Sequence, residues 1–466
     1  MRDIDRNIMK LNRICLVLLL SVAILATTRA QIQPSARYPQ YWSYQGVDML
    51  LLGGSVEDNL FQIDSLTQQL DLLASVGGNY VRNTMSSRDP GNEWPFHMLP
   101  DGKYDLNQFN PQYWDRFERF LRETGARNII VQLELWATFD FYRENWLVNP
   151  FNPNNNINYN LRRSKLDSVV ESHPVFTENN FFRSVPEQMN LGPVLWYQKL
   201  FVDKLLSYSL EFDHVLYCMD NETSVSSDWG KFWSRYIQKA ASLKNRKVQT
   251  TEMWDPHNLA HPMHFETFDN PDIFSFVDIS QNNHQDGDDH WINGLRQFEY
   301  LTKMLLLRPV NNVKIYGNDG GPHQTTRNAI ESFCKNVFIG AASARFHRPP
   351  SGQGLNERAQ SVIRSMRMIV GASDFFKGVP ANHLLQNRAP NEAFCRAITG
   401  EQYLIYFPDG GDISLAVGME GTFLIRWLDV MQSTWQEPIR ARGADGTLNL
   451  IPPSSGHWIA FISKPE

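Results

Sequence analysis

Cysteine is scarce in this chain, and blocks of basic residues are missing. Four of the 466 residues are cysteines, and Cys218, Cys334 and Cys395 are too widely spaced to indicate a disulfide framework or a CxxC metal site. We therefore expect buried free thiols at these positions. No run of lysine and arginine occurs, and the formal net charge is −6, which argues against nucleic acid or an anionic membrane surface as a partner.

The motifs of several enzyme classes are also missing. The turn after the first predicted strand reads LLGGSVEDN and lacks a Gly-x-Gly-x-x-Gly phosphate loop, which disfavours a doubly wound nucleotide-binding sheet. Twelve histidines are present, but none of them forms a His-Glu-x-x-His metal motif. No Gly-x-Ser-x-Gly nucleophile turn occurs either. The sequence therefore predicts neither a metal nor a cofactor.

Long apolar runs are confined to the N-terminus. Residues 1–30 begin with scattered basic residues, continue through ICLVLLLSVAILA and place the small residues Thr28 and Ala30 before Gln31, which is the pattern of a cleaved signal peptide. The apolar run has about 13 residues and is too short to span a bilayer comfortably. We expect a secreted or periplasmic protein without stable membrane insertion after cleavage; an uncleaved anchor is the alternative.

Aromatic residues, in contrast, are abundant. They make up 12% of the chain, with 13 tryptophans and 16 tyrosines. Such rings are suitable platforms for the apolar faces of sugars, although a large aromatic core would account for many of them.

Short β-type runs alternate with amphipathic helical segments over most of the chain. Alternation of this kind predicts parallel strands, and eight such units are what a closed (β/α)8 barrel requires. The predicted strands are 47–54, 79–83, 128–136, 214–220, 247–252, 273–280, 312–319 and 336–342.

The pattern changes near residue 380. Runs such as QYLIYFP, DISLAVG and HWIAFIS are separated by glycine- and proline-rich turns, which is typical of a β-sandwich. We therefore predict a signal peptide at 1–30, a (β/α)8 barrel at 31–378 and a small C-terminal β-sandwich domain at 379–466.

Polar and aromatic side chains close nearly every predicted barrel strand, at the end where the active site of such a barrel lies. A lone carboxylate in this position could be structural, but the coincidence with several strand ends favours a functional site. The candidates are Arg82, Asn83, Glu134, Trp136, Asn221, Glu222, Glu252, Trp254, residues 281–284, Asn318 and Asp319.

At these positions the chain resembles a known family. Asn221-Glu222 after the fourth strand, Arg82 closing the second and an acid closing the seventh resemble the clan-A glycoside hydrolases. The segment YLIYFPDGGDISLAV, with IRWLDVMQSTW after it, is similar to the collagen-binding β domain that follows apiosidase-like barrels in bacterial secreted proteins. The resemblance implies a glycoside hydrolase in which Glu222 is the acid/base and Asp319 the nucleophile.

Glycosidic cleavage needs one protonated carboxyl group and one carboxylate that stays anionic. We expect burial and a neighbouring carboxylate to raise the pKa of Glu222 so that it can act as the acid. Asn221 would donate a hydrogen bond to a sugar hydroxyl, and Arg82 would keep the second carboxylate ionised.

The identity of the second carboxylate stays open. The seventh strand ends YGNDGG and offers Asp319, where the family carries glutamate, so Glu134 and Glu252 are the alternatives. The same two glutamates, with Trp136, Trp254 and His284, complete the predicted substrate-binding set.

The insertion at 140–190 and the loop at 254–272 would shape the pocket. We expect cleavage of a plant or algal polysaccharide or oligosaccharide. A non-catalytic carbohydrate-binding or surface protein on a degenerate barrel is the alternative.

Overall fold

Eight parallel strands alternate with eight helices in the first part of the chain, within residues 31–172 and 179–465, which the computed structural model describes. The predicted signal peptide lies outside the described residues. The strands are β1 (Leu51–Gly54), β2 (Tyr80–Thr84), β3 (Ile130–Trp136), β4 (Val215–Asp220), β5 (Gln249–Thr251), β6 (Val277–Asp278), β7 (Val310–Asn311) and β8 (Ser343–Phe346). The helices are α1 (Leu66–Ser75), α2 (Pro111–Ala126), α3 (Gly192–Ser209), α4 (Ser227–Leu243), α5 (Pro262–Phe268), α6 (Gly287–Lys303), α7 (Thr326–Ile339) and α8 (Glu357–Ala372).

The strands follow the order of a (β/α)8 barrel. Six of them form one parallel sheet in the order β5-β4-β3-β2-β1-β8, and β6 pairs with β7. A parallel bridge between Ile315 and Phe346 connects the segment after β7 to β8. Between β5 and β6 the described residues form no ladder, and Thr250 N instead donates to Ser275 Oγ at 3.1 Å. The mixed α/β architecture of the prediction is confirmed, with this interruption in the ring.

The eighth strand was predicted in the wrong place. Residues 336–339 are the last turn of α7, and the strand begins only at Ser343. The helix ends at Gly340, whose φ of 94° is readily adopted only by glycine. The apolar run NVFI is buried, and a short buried run does not distinguish a helix from a strand. The seventh strand also differs, because its ladder covers only Val310–Asn311.

Smaller elements decorate the barrel. An antiparallel sheet precedes β1, a hairpin lies between β2 and α2, and two short helices lie in the insertion between β3 and α3. Their bounds are Gln33–Pro34, Trp42–Tyr44, Val47–Met49, Phe96–Met98, Tyr104–Phe109, Arg143–Val148 and Leu161–Ser164.

Asparagine side chains order the insertion after β3. Asn149 Nδ2 donates to Asp140 O at 2.9 Å, Asn152 Nδ2 to Trp146 O at 2.9 Å, and Asn156 Nδ2 to Pro150 O at 3.1 Å. These bonds satisfy backbone carbonyls that irregular chain leaves without partners. The asparagines of residues 149–156 therefore stabilise the backbone of this part of the insertion.

A two-sheet β domain follows α8. Its larger sheet consists of Val379–Pro380, Phe394–Ile398, Gln402–Phe407, Gly421–Asp429, Thr434–Trp435, Ile439–Gly443 and Trp458–Ser463, and its smaller sheet of Leu385–Gln386, Ile413–Ala416 and Thr447–Leu450.

The two faces of the larger sheet have different partners. Tyr403 and Ile405 belong to a core shared with the smaller sheet, whereas Leu404 and Tyr406 belong to the core of the barrel. Alternate residues of a strand point to opposite faces, so one strand joins both cores. Arg396 adds a hydrogen bond to Tyr41 Oη at 2.7 Å. The β domain is thus packed directly on the barrel.

The cysteine prediction is confirmed, because Cys218, Cys334 and Cys395 are buried free thiols. Among the residues that the structure describes, none of the helices has the length and apolar character needed to cross a membrane.

Candidate active site at the mouth of the barrel

Asn221 and Glu222 follow β4 directly and lie at the C-terminal rim of the barrel. Glu222 has a φ of 57°, a left-handed conformation that is uncommon for a residue with a side chain. Backbone hydrogen bonds fix the turn from both sides, since Asn221 N donates to Trp136 O and Thr223 N to Met253 O. Strain of this kind is concentrated at functional sites, and here it directs the Glu222 side chain.

Three donors converge on one oxygen of Glu222. Lys314 Nζ lies 2.7 Å from Oε1, and Gln281 Nε2 and Tyr316 Oη donate to the same oxygen at 3.0 Å each. Lys314 also donates to Asn221 Oδ1. The Lys314 side chain is 2% exposed and that of Glu222 10% exposed, so the ion pair is almost completely desolvated.

The charge state of Glu222 differs from the sequence prediction. Burial by itself would raise its pKa, but Lys314, the more distant Arg82 and the Tyr316 hydroxyl oppose burial and lower the pKa to about 2. The expectation of a raised pKa was therefore wrong. Glu222 is a carboxylate at neutral pH, because a buried cation lies beside it where a second carboxylate was expected.

Arg82 and Glu134 belong to a buried ionic network beneath the mouth. Arg82 Nε lies 2.6 Å from Glu134 Oε1 and its Nη1 2.6 Å from Asp58 Oδ1. Arg348 Nε also reaches Asp58, at 3.0 Å from Oδ2. Burial would raise the pKa of Asp58, but Arg82 and its other cationic neighbours hold it well below the ordinary value. Asp58 follows β1 in the turn LLGGSVEDN and was not predicted from the sequence.

Glu252 has a different environment from the one predicted. Its Oε1 accepts the backbone N–H groups of Asp220 at 2.9 Å and Met253 at 3.0 Å, and its side chain packs against Gly230 of α4. Burial, followed by the nearby Asp220 carboxyl group, raises its pKa well above the ordinary value. Glu252 thus links the ends of β4 and β5 by hydrogen bonds and packs against α4. No hydrogen bond among the described residues connects it to Glu222.

Trp136 and Trp254 are buried in the hydrophobic interior. The ring of Trp136 lies 5.3 Å from the rings of Phe181 and Trp233, and Trp254 Nε1 donates to Thr267 Oγ1 at 2.7 Å. Their exposed fractions are 1% and 2%. Neither tryptophan presents a free ring face to a sugar in this structure.

Asp319 lies on the surface beyond β7. Its Oδ1 accepts the backbone N–H of Thr326 at 3.0 Å, and its own N–H donates to Thr326 Oγ1 at 3.1 Å. These bonds lower the pKa of Asp319 and tie it to the start of α7. The structure does not bring Asp319 into contact with Glu222, so its predicted role as the nucleophile has no geometric support.

Four histidines and Tyr316 line the rim beside Glu222. The rings of His257 and His284 stack with centroids 3.5 Å apart, and Tyr316 lies 5.2 Å from His284, 4.6 Å from His323 and 4.8 Å from His347. Burial, with repulsion from His257, lowers the pKa of His284 to about 4. These histidines include the predicted His284. Among the described residues, no three His, Cys, Asp or Glu side chains are arranged to hold a metal ion.

Lys314 and Tyr316 were missed by sequence reasoning. They occupy alternate positions in NVKIYG, and alternate residues of an extended segment point to one side. That alternation is the signal in the sequence that places both side chains on one face of the segment after β7.

Comparison with known proteins indicates the fold. No protein-family model and no curated protein matches the sequence. A solved glycoside hydrolase aligns with a TM-score of 0.61 at 11% identity, over 93% of this chain and 97% of the other. A glycoside hydrolase family 5 protein from Bacteroides vulgatus gives 0.62 at 10% identity, over 93% of each chain.

A family 5 mannosidase from Rhizomucor miehei gives a TM-score of 0.51 at 13% identity, over 74% of this chain and 98% of the other. The chain has a glycoside hydrolase fold. At these identities the likeness concerns the fold, so the activity has to be argued from the site itself.

Proposed function

We propose that the protein is a glycoside hydrolase and that Glu222 is its reactive carboxylate. The glycoside hydrolase fold supports this proposal, because enzymes with such barrels carry their active sites at the C-terminal ends of the strands. Glu222 lies at that end, directly after the fourth strand.

The single observation that carries the proposal is the set of hydrogen-bond donors that surrounds the buried Glu222 carboxylate. A carboxylate with a side chain 10% exposed is costly to desolvate unless it is paired. Lys314, Gln281 and Tyr316 come from the loops after β6 and β7, and all three bind the same oxygen. A carboxylate without a function at a barrel mouth would not require three separate donors and a strained backbone. We therefore infer that this arrangement has a functional role.

A second candidate is a non-catalytic carbohydrate-binding protein. The observation that favours it is Lys314, which lies beside Glu222 on the segment expected to supply a second carboxylate. Hydrolysis by paired carboxylates needs a proton donor as well as an anion. The nearby acids Asp58 and Glu134 are both bound to Arg82.

The finer parts of the proposal concern substrate and location. We propose a plant or algal glycan as the substrate, bound between the insertion at 140–190 and the loop at 254–272, and secretion directed by residues 1–30. The apiosidase-like subtype and a collagen-binding role of the β domain remain predictions from sequence resemblance alone.

A paired screen of hydrolysis and binding tests the proposal. The purified protein is incubated with plant and algal polysaccharides, released reducing sugar is measured, and the same glycans are used in affinity electrophoresis. We expect at least one glycan to be both bound and cleaved. Binding without cleavage of any glycan would favour the second candidate, and neither binding nor cleavage would contradict both.

A further inference from the structure

The two oxygens of Glu222 have unequal environments. Oε1 accepts from Lys314, Gln281 and Tyr316, and these three donors fill the acceptor capacity of a carboxylate oxygen. Within the described part of the chain, no hydrogen bond is formed to Oε2. Because the side chain keeps 10% of its surface exposed, Oε2 is the oxygen left for a ligand.

Lys314 is itself held in place by its partners. Its ammonium group binds Glu222 Oε1 and Asn221 Oδ1, two neighbouring side chains of the strained turn after β4. Charge-assisted bonds of this kind are stronger than neutral ones. A rotation that turned the Glu222 carboxylate away from this orientation would weaken the bonds to Lys314, Gln281 and Tyr316 together.

Other charged and titratable groups near the ion pair also affect the pKa values of Glu222 and Lys314. Arg82 beneath the mouth favours the carboxylate form of Glu222 and opposes the ammonium form of Lys314, whereas Glu134 favours the ammonium. Burial raises the pKa of Tyr142, and the negative charge of Glu222 adds to this effect. Burial lowers the pKa of His284, and the charge of Glu222 opposes that shift. Lys314 forms the ion pair with Glu222 and contributes more than any other charged group to lowering its pKa, so the charge of Glu222 depends chiefly on this one lysine.

We propose that Lys314 is a positioning residue that keeps Glu222 ionised and turns Oε2 toward the barrel mouth. Glu222 then meets a ligand as an anion and hydrogen-bond acceptor, not as a proton donor. Sugar hydroxyl groups and water are ligands of the matching chemistry, because both donate hydrogen bonds. This inference deepens the proposed function and rests on it for the ligand class, but the charge and orientation of Glu222 can be measured without any catalytic assay.

The test is an infrared pH titration of the carboxyl groups. The difference between wild type and Glu222→Gln isolates the Glu222 signal, which is followed from about pH 3 to about pH 8, around the ordinary range of a glutamate. We expect the carboxylate band throughout this range. In Lys314→Met, which keeps the length of the side chain and removes the charge, the protonation midpoint should rise by more than about one pH unit.

Two further variants serve as controls. Lys335→Met removes another buried lysine, which is paired with Glu331 in α7, and should leave the Glu222 midpoint unchanged. Tyr316→Phe removes a neutral donor and should move it much less than Lys314→Met does. Circular dichroism confirms that each variant is folded.

Other results would overturn the inference. A wild-type Glu222 that titrates at or above the ordinary glutamate pKa would overturn it even if Lys314→Met failed to fold. An unchanged midpoint in folded Lys314→Met would do the same. Failure of the proposed function looks different, since the titration would follow our expectation while no glycan is cleaved.

Discussion

The ion pair between Lys314 and Glu222 should be visible as a coupling energy in a double-mutant cycle. Lys314→Met leaves a carboxylate with little solvent, and Glu222→Gln leaves a buried ammonium group. Lowering a glutamate pKa from 4.5 to about 2 corresponds to about 3 kcal/mol at neutral pH. Each single substitution should therefore lower the free energy of unfolding by about 3–5 kcal/mol.

The double variant should be more stable than the sum of the single effects implies. Removing both charges eliminates the unpaired partner, so we expect a coupling of at least about 2 kcal/mol between the two positions. The assay is urea unfolding near pH 7 of the wild type, both single variants and the double variant. Additive effects within about 0.5 kcal/mol would refute the reasoning.

The pH and a surface pair provide controls for this cycle. Because the folded-state pKa of Glu222 is lowered, its stabilisation is fully present above the ordinary value of 4.5 and is lost as the pH falls toward about 2. The coupling should therefore shrink near pH 3. The Lys231–Glu266 pair has a similar separation of 2.6 Å but is more exposed, and the matched cycle there should give less than about 1 kcal/mol.

Three other substitutions test neighbouring parts of the account. Gly230→Ala would place a Cβ atom 2.2 Å from Glu252 Oε2, and thermal unfolding should show a loss of about 1–3 kcal/mol, whereas unchanged stability would mean that Glu252 is not packed against α4. Burial raises the pKa of Asp220 to about 8, so stability is lost as the pH rises from 3.8 toward 8; Asp220→Asn should unfold with a weaker pH dependence over this interval, and an unaltered profile would count against a buried neutral acid. Asp319→Ala removes the bond to the Thr326 N–H and should lower stability in chemical unfolding only slightly, while glycan cleavage continues; loss of cleavage without unfolding would restore Asp319 as the nucleophile.

Two local patterns were sufficient to place Glu222 at the C-terminal end of the barrel strands. Alternating strand and helix signals predicted the (β/α)8 order, and Asn221-Glu222 comes directly after a strand that is apolar up to Met219. Both features depend on neighbours in the chain. Glu222 was therefore found by position alone, before any contact was known.

Its charge could not be found in this way. The ionisation of Glu222 depends on Lys314 and Tyr316, which follow a different strand and meet it only across the mouth of the barrel. The predicted position of Asp319 beside Glu222 was wrong for a related reason. The chain turns at Gly317, whose φ is 122°, and a side chain there would collide with Thr325 O, so the residues beyond this turn leave the barrel and begin α7.

The eighth strand shows a limit of another kind. Residues 336–339 are apolar, and a short apolar run is compatible with a buried helix as well as with a strand. Gly340 marks the helix end in the structure, whereas the predicted strand 336–342 contains it. The resulting error moved the predicted strand away from Arg345, which lies on the real β8 with its side chain 0% exposed and 3.8 Å from Asp58.

The most direct test of the central claim is the kcat/KM of Glu222→Gln on a glycan that the wild type cleaves. The matched control is Glu211→Gln, which changes an exposed glutamate before β4, at the opposite end of the barrel. We expect Glu222→Gln to lower kcat/KM by about 10²–10⁴ in protein shown to be folded at the assay temperature, and Glu211→Gln to leave it unchanged. Equal cleavage by folded Glu222→Gln and wild type would contradict the assignment of Glu222 as the reactive carboxylate.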